Sequence, residues 1–258
     1  MRTVTGLKKA KSHVEITFDE HMTILVESEL VIKYHLYVSQ QLEDETYQSF
    51  KDENDYLSTL RFALTKLKKM MTSKELSDLL KLQPVSERIQ KKVLVYVIDK
   101  HYVDDLSYAK TYMMLKKYQE GPSMMKHRLK EKGISEEILN IIFSEYPAHQ
   151  IARELVISKF KSMKKKTKRQ AFQTIKMHLI SKGFDQEVIE HALLKEQDTY
   201  QGDESKLLKD AYEKCLRMYQ KKLTGYELEQ KIKEKLYQKG FSYDMIKAYL
   251  EEKKLQSW

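Results

Sequence analysis

A short segment that recurs along the chain is the strongest constraint on its fold. Residues 129–139, 179–189 and 236–246 align without gaps on the pattern Leu-x-x-Lys-Gly-[Ile/Phe]-x-x-x-apolar-apolar. A lysine in the last turn of a helix meets the negative end of the helix dipole, and the glycine that follows can adopt the left-handed conformation that ends a helix. The chain is therefore predicted to contain repeated helices that end abruptly at Lys-Gly.

The spacing of the helix breakers predicts the number of repeats. A fourth, degenerate copy places Pro84 where the others have glycine, and proline also stops a helix. The breakers at 84, 133, 183 and 240 are 49, 50 and 57 residues apart, which is room for three helices in each interval. Four three-helix repeats are predicted, at 51–101 (the degenerate copy), 102–146, 147–200 and 201–258. Because such repeats bury their faces mainly against their neighbours, we expect an elongated, curved solenoid.

Local signals predict where the helices of each repeat begin. The first helices are expected to start near Asp52, Asp104, Pro147 and Asp203. The second helices are expected to start at two capping boxes, Thr72 with Glu75 and Thr224 with Glu227, at Gly121-Pro122-Ser123, and at Lys168-Arg169-Gln170-Ala171. Ser135, Asp185 and Ser242 are the expected N-caps of the third helices. The apolar residue between each glycine and its N-cap is expected to lie in the seam between two helices.

Residues 1–50 follow a different pattern. Val14, Ile16 and Phe18 alternate with polar residues, which is typical of a strand, and residues 22–26 repeat this character. A β-hairpin that turns at residues 19–21 is predicted, followed by a short helix with Ser28 as its N-cap. The predicted fold is mainly α, with tandem three-helix repeats after a small N-terminal β-hairpin module.

Composition excludes several classes of protein. The chain has only seven glycines and three prolines, too few for a collagen-like or Pro-rich protein. A single cysteine, Cys215, excludes an intramolecular disulfide and multi-cysteine metal sites. The longest apolar run, residues 93–98, is far shorter than the roughly 20 residues of a membrane span. We expect a soluble, cytoplasmic, monomeric protein that does not contact a membrane.

No sequence motif of an enzyme is present. Glycine-rich phosphate loops and the His-Glu-x-x-His pattern of zinc enzymes are missing from the sequence. The most tempting acidic pair, Asp104 and Asp105, lies at a predicted helix start. One carboxylate is expected to cap the helix there and the other to face the positive end of its dipole. We therefore expect no catalytic residue, no metal and no cofactor.

A basic run is the best candidate binding site. Seven positive charges and no acidic residue occur within residues 159–169, at the predicted junction between the first two helices of the third repeat. They are Lys159, Lys161, Lys164, Lys165, Lys166, Lys168 and Arg169. The functional interpretation is a patch for phosphates or for an acidic protein groove, which agrees with the net charge of +9. The alternative interpretation is a solvated, mobile helix junction.

The chain resembles the RecX family of bacterial recombinase regulators, in the longer form with an N-terminal extension that contains strands. The resemblance rests on Tyr102-Val103-Asp104-Asp105-Leu106-Ser107-Tyr108-Ala109, on Gly121-Pro122 and on Leu129-x-x-Lys132-Gly133-Ile134, and it covers about residues 10–255. The chain departs from the family's pattern at Lys68-Lys69-Met70-Met71-Thr72-Ser73 and at Gln83-Pro84-Val85.

The resemblance implies a non-catalytic partner of the RecA filament. Such a protein lies in the helical groove of the filament and contacts successive protomers. It would restrain ATP hydrolysis, strand exchange and co-protease activity, in DNA repair and the SOS response. An alternative hypothesis is a protein that binds single- or double-stranded DNA directly through the basic run at residues 159–169. A further alternative is an enzyme whose site assembles from distant repeats.

Overall fold

The computed structural model of the protein describes residues 1–10, 13–19 and 21–255. Within these residues, four antiparallel strands form one sheet, and thirteen α-helices make up most of the rest of the chain. The strands lie side by side in the order β3-β2-β1-β4. They are β1 (Arg2–Lys9), β2 (His13–Phe18), β3 (Met22–Glu27) and β4 (Gln41–Leu42).

The predicted hairpin is present, but it belongs to a larger sheet. Strands β2 and β3 pair from His13 opposite Glu27 to Phe18 opposite Met22. Glu20, within the predicted turn, lies outside the described residues. Strands β1 and β4 were not predicted. Strand β1 contains a glycine and ends in two lysines, so its sequence is typical of a basic terminal segment, and β4 has only two residues.

Two helices pack against this sheet, and both begin elsewhere than predicted. Helix α1 (Ser28–Lys33) has Glu27 at its N-cap position, so Ser28 is its first residue and not its cap. Helix α2 (Asp44–Lys66) begins eight residues before Asp52. The reason is packing, since the fully buried Phe50 lies in the core of the sheet and makes an aromatic contact with Phe18. The predicted domain boundary after residue 50 therefore falls inside a helix.

Helix α2 also bonds to the edge strand β3 of the sheet. The buried Asn54 side chain accepts a hydrogen bond from the Glu27 N–H at 3.1 Å and donates one to the Leu25 carbonyl at 2.9 Å. An edge strand presents unpaired backbone groups, and a helix that supplies partners satisfies them. The sheet and the first helices are thus joined by hydrogen bonds as well as by apolar contacts.

The remaining helices continue in groups of three. They are α3 (Ser73–Lys81), α4 (Glu87–Asp99), α5 (Asp105–Lys116), α6 (Pro122–Glu131), α7 (Glu136–Ser144), α8 (Ala148–Ser162), α9 (Lys168–Lys182), α10 (Gln186–Lys195), α11 (Glu204–Tyr219), α12 (Gly225–Gln238) and α13 (Tyr243–Leu255). A short 3-10 helix, Gln197–Thr199, follows α10. The four repeats therefore have α2, α5, α8 and α11 as first helices and α3, α6, α9 and α12 as second helices. Residues 256–258 of the predicted last repeat lie outside the described residues.

The chain divides into two compact units. The first contains residues 1–112 and 129–140, and the second contains residues 113–128 and 141–258. The first unit has a core under the sheet and a helical core that includes Leu76, Leu80, Val93 and Val97. The second unit has one core around Val156, Phe160, Ile175 and Leu179 and another around Leu208, Ile232, Leu236 and Ile246.

The helix ends at Lys-Gly are confirmed. Gly133, Gly183 and Gly240 have φ values of +86°, +87° and +91°, in the left-handed region that favours glycine. The apolar residues that follow, Ile134, Phe184 and Phe241, are buried as predicted.

The predicted caps have mixed outcomes. Ser135 and Ser242 accept hydrogen bonds from the N–H groups three residues ahead, each at 3.3 Å. Asp185 occupies the N-cap position of α10, as predicted, but its carboxylate makes no capping bond. It accepts a bond from the Ser123 hydroxyl at 3.4 Å instead. The capping box at Thr72 is formed, whereas the Thr224 side chain makes no capping bond.

Candidate partner-binding surface

A joint between consecutive repeats recurs three times and positions the candidate surface. At each joint, the C-terminal end of one second helix meets the N-terminal end of the preceding second helix. The Thr72 hydroxyl donates to the Lys132 carbonyl at 2.7 Å, and the Thr167 hydroxyl donates to the Lys239 carbonyl at 3.1 Å. At the middle joint, the Gly121 N–H donates to the Lys182 carbonyl at 2.6 Å. The free carbonyl of a helix end thus finds a donor at the start of another helix, a threonine hydroxyl at the first and third joints and a backbone N–H at the middle joint.

The glycines of Lys-Gly allow this close approach. A Cβ on Gly133 would lie 2.5 Å from Lys74 Cβ, one on Gly183 would lie 2.8 Å from the Met124 nitrogen, and one on Gly240 would lie 2.7 Å from Thr167 Oγ1. The glycine is therefore needed for its backbone conformation and also for contact with the neighbouring repeat. The second requirement was not predicted from the sequence.

Charged groups at the first joint are paired with one another. Lys132 Nζ lies 2.5 Å from Glu75 Oε1 and 5.5 Å from the centre of the Tyr108 ring. Burial alone would raise the pKa of Glu75, but bonds from Lys132 and Thr72 outweigh it and hold that pKa below its usual value. The same carboxylate raises the pKa of Lys132.

The acidic pair Asp104-Asp105 serves two different helices. Asp104 caps its own helix α5, accepting from the Ser107 N–H at 3.0 Å, as predicted. Asp105 lies in the first turn of α5, as predicted. Its carboxylate also accepts from the Ser73 N–H at 2.8 Å, at the start of α3 across the joint, which was not predicted. A carboxylate committed to a helix end in this way is a structural group.

The basic run lies at the third joint. Lys159 and Lys161 lie in the last turn of α8, residues 164–166 lie in the following loop, and Lys168 and Arg169 begin α9. In the part of the chain that the structure describes, none of the seven side chains forms an ion pair with a carboxylate. Their charge is therefore open to a partner.

The backbone of this loop is nevertheless held in place. Tyr200 donates its hydroxyl to the Lys166 carbonyl. The Lys168 N–H donates to Glu204 Oε1 at 2.9 Å, and the buried Thr167 caps α9 by accepting from the Gln170 N–H at 3.3 Å. Thr167 was not predicted as a cap. The loop thus presents its ammonium groups from a backbone that is anchored at three points.

The electrostatics near the loop are those of a positive surface. Partial burial lowers the pKa of His178, and the Lys159 and Lys182 ammonium groups lower it further. Burial and Lys159 also lower the pKa of Lys182, even though the Lys182 ammonium donates to the Tyr118 and Gln119 carbonyls at 2.8 Å. Protonation of His178 and of Lys182 is therefore less favourable than in water, as expected beside other positive charges.

A groove of 1090 Å³ adjoins the basic loop. Its wall next to the loop carries Lys168 and Arg169, and Arg169 lies over the Tyr237 ring at 5.3 Å from the ring centre. The remaining lining is largely apolar and comes from helices α9 to α13 and the segments that connect them. It includes Phe172, Met177, Leu193, Leu194, Phe241 and Tyr243. The apolar part of this groove was not predicted, because its residues are far apart in the sequence.

Three further observations concern metal ions, membranes and the cysteine. Among residues 1–10, 13–19 and 21–255, no three His, Cys, Asp or Glu side chains are arranged to hold a metal ion. Within the same residues, no helix combines the length and apolar character needed to cross a bilayer. Cys215 is a buried free thiol in the core of the fourth repeat.

Sequence comparisons place the chain among bacterial regulatory proteins. A family model described as RecX, third three-helix domain, matches residues 203–250, in the fourth repeat. Regulatory protein RecX of Oceanobacillus iheyensis is 30% identical, over 88% of this chain and 86% of the relative. Regulatory protein RecX of Bacillus licheniformis is 28% identical, over 97% of both chains. The protein of the same name from Staphylococcus aureus is 29% identical, over 95% of this chain and 92% of the relative.

Solved structures with the same fold are also known. A crystal structure of regulatory protein RecX aligns with a TM-score of 0.55 at 20% identity and covers 74% of this chain and 98% of the other. The crystal structure of RecX from Lactobacillus salivarius aligns with a TM-score of 0.50 at 24% identity, over 57% of this chain and 98% of the other. At these identities, the likeness concerns the fold.

Proposed function

This chain belongs to the RecX family of regulatory proteins, and from that premise we propose that it binds the filament of the RecA recombinase and inhibits it. The inhibited activities are ATP hydrolysis, strand exchange and co-protease activity, in DNA repair and the SOS response. The protein acts as a monomer in the cytoplasm, with no catalysis of its own and no cofactor. The names of its relatives support a regulatory role.

The observation that carries the proposal is the unpaired charge of the basic run. Seven cations extend from an anchored backbone at one joint between repeats, and no acidic side chain among the described residues neutralises them. An acidic or nucleoprotein surface is the complementary partner, since opposite potentials steer association and fix its orientation. Several modest contacts of this kind act together when repeats present them along one partner.

Inhibition needs no catalytic group in the regulator. A ligand shifts a conformational equilibrium by the difference between its affinities for the two states. A protein that contacts adjoining recombinase protomers favours one arrangement of those protomers. It thereby opposes the movements that each ATP turnover requires.

The first experiment measures ATP hydrolysis by the cognate recombinase on single-stranded DNA. Substoichiometric amounts of this protein are expected to lower the rate, because one regulator affects several protomers of a filament. An unchanged rate would overturn the proposal.

The second experiment tests the surface. Replacing Lys164, Lys165, Lys166, Lys168 and Arg169 by glutamate is expected to abolish filament binding while the thermal unfolding transition persists. The smaller variant Lys164→Glu/Lys165→Glu has a matched control in Lys68→Glu/Lys69→Glu. Lys68 and Lys69 are also exposed neighbours between the first and second helices of a repeat. Equal filament binding by the two double variants would show that the basic run is not the binding surface.

A second candidate function, direct binding of nucleic acid, is supported by the same unpaired lysines. Binding to DNA without the recombinase would then weaken with salt by roughly 0.9 log unit per log unit of salt for each phosphate neutralised. A titration of a labelled single- or double-stranded oligonucleotide at several salt concentrations measures this slope. No binding to DNA alone at physiological salt would exclude this candidate.

A further inference from the structure

The groove beside the basic loop exposes more apolar surface than packing requires. Met177 of α9 is 60% exposed, Leu194 of α10 is 65% exposed and Tyr243 of α13 is 61% exposed. Single exposed apolar residues are common on protein surfaces, but a group from three helices that lines one groove is typical of an interaction site. Buried Phe241 forms part of the same lining.

The charge available to a ligand in this groove is positive. The lining contains two carboxylates, and both are already engaged. Glu190 accepts bonds from Lys176 and Gln186, each at 2.8 Å, and Glu204 accepts from the backbone N–H of Lys168. Lys168 and Arg169 have no carboxylate partner among the described residues. Each instead lies over an aromatic ring, Phe172 for Lys168 and Tyr237 for Arg169.

The lining suits a peptide better than a nucleic acid. Proteins that bind single strands stack bases on open aromatic faces. Here the Arg169 guanidinium already lies over the Tyr237 ring, and much of the remaining lining consists of methionine, leucine and buried phenylalanine. Such side chains accommodate aliphatic and aromatic side chains of a peptide, and methionine adapts to anchors of different outline.

From these observations, we propose that this groove binds an acidic peptide segment that carries aliphatic or aromatic anchor residues. The anchors lie among Met177, Leu194 and Tyr243, and the acidic groups face Lys168, Arg169 and the loop at residues 164–166. The inference rests on the proposed function only in taking the partner to be a protein.

The test uses the full chain and a defined probe. The probe is a fluorescein-labelled peptide of about twelve residues, rich in Glu and Asp, with Leu and Phe spaced three and four positions apart so that the anchors share one helical face. Fluorescence polarisation is expected to show saturable binding that weakens as salt is added. Leu194→Glu is expected to weaken binding about tenfold or more, because it removes an anchor contact and adds a repelling charge.

A matched substitution controls for nonspecific effects. Leu82, at the end of α3, is 77% exposed and lies outside the groove, so Leu82→Glu is expected to leave peptide binding unchanged. Equal loss of binding in the Leu82 and Leu194 variants would overturn the proposal. So would equal binding of a peptide in which lysine replaces the acidic residues, or displacement of the peptide by an oligothymidylate at matched concentration.

The peptide titration and the ATPase assay separate the two proposals. A protein that restrains the recombinase but does not bind the peptide overturns the groove proposal alone. A protein that binds the peptide through Leu194 but leaves hydrolysis unchanged supports the groove proposal and overturns the proposed function.

Discussion

The first and third joints between repeats share one design but differ in their charge. At both joints, a buried threonine donates its hydroxyl to the carbonyl of a Lys-Gly lysine, Thr72 to Lys132 and Thr167 to Lys239. At both joints, a carboxylate from the following repeat accepts a hydrogen bond from the N–H that begins the second helix. The carboxylate belongs to the residue that begins the first helix of that following repeat. This residue is Asp105 at the first joint and Glu204 at the third.

The two joints differ in which charges begin the second helix. Helix α3 has Glu75 in its first turn, where an acid meets the positive end of the dipole, and this acid is paired with Lys132. Helix α9 begins with Lys168 and Arg169 and has no acid in its first turn. Cations at this end of a helix oppose the dipole, so the third joint departs from the locally stable choice. Departures of this kind are typical of functional sites, which agrees with the binding role that we propose for the third joint.

The largest effect is expected from breaking the scaffold that the joints share. The middle joint depends on close backbone approach, and a Cβ on Gly121 would lie 2.6 Å from both the carbonyl carbon and the carbonyl oxygen of Gly183. Gly121→Ala is therefore expected to lower the free energy of unfolding by about 3 kcal/mol, as for other changes that force packed backbones apart. Denaturant titration followed by circular dichroism measures the loss. Gly6→Ala is the control, because its Cβ would find ordinary contacts at 3.5 Å.

A smaller effect compares the two threonines directly. Thr72→Val removes one half of a capping box and the short bond to Lys132, and we expect a loss of about 2 kcal/mol. Thr167→Val removes longer bonds, of 3.1 Å and 3.3 Å, and we expect about 1 kcal/mol. The same titration measures both. A larger loss for Thr167→Val than for Thr72→Val would show that the first joint is not the more tightly bonded of the two.

The smallest effect concerns the pH dependence of the paired charge at the first joint. The pKa of Glu75 lies below its usual 4.5 in the folded protein. Its contribution to stability is therefore fully present above about pH 4.5 and is lost as the pH falls through the folded value. Since the Glu75 and Lys132 side chains are 36% and 34% exposed, solvent screening limits the contribution to less than about 1 kcal/mol.

Glu75→Gln isolates this contribution. The variant is expected to unfold more easily than the original protein at pH 7, and the difference should shrink at pH 3. Denaturant midpoints at the two pH values give the measurement. A difference that does not change with pH would mean that the Glu75 charge contributes nothing.

Local rules predicted much of the fold but not the joints. The helix ends at Gly133, Gly183 and Gly240 follow from a signal of a few adjacent residues, as does the capping box at Thr72. The bonds of Thr72 and Thr167 to lysine carbonyls span 60 and 72 residues, and no pattern along one helix contains that information. The basic run itself was recognised from the sequence. Whether acidic side chains neutralise its charges could not be predicted, because that depends on residues brought close by folding.

The groove and the start of α2 were missed for a related reason. An exposed Leu194 and a buried Leu193 are adjacent in the sequence, and only the packing of several helices distinguishes them. Helix α2 extends back to Asp44 because Phe50 packs against the sheet. Two of the four strands of that sheet, β1 and β4, were not predicted. Each error arose where a residue's environment is made by a distant part of the chain.

The glycine contacts at the joints also bear on how such a chain lengthens during evolution. A duplicated repeat brings both halves of a joint with it, the Lys-Gly end and the receiving helix start. The copy with Pro84 lacks the glycine that this docking uses, and its helix α3 comes first in the series of second helices. The glycine is therefore kept in the copies whose second helix docks on a preceding repeat, and it is absent from the copy that has none before it.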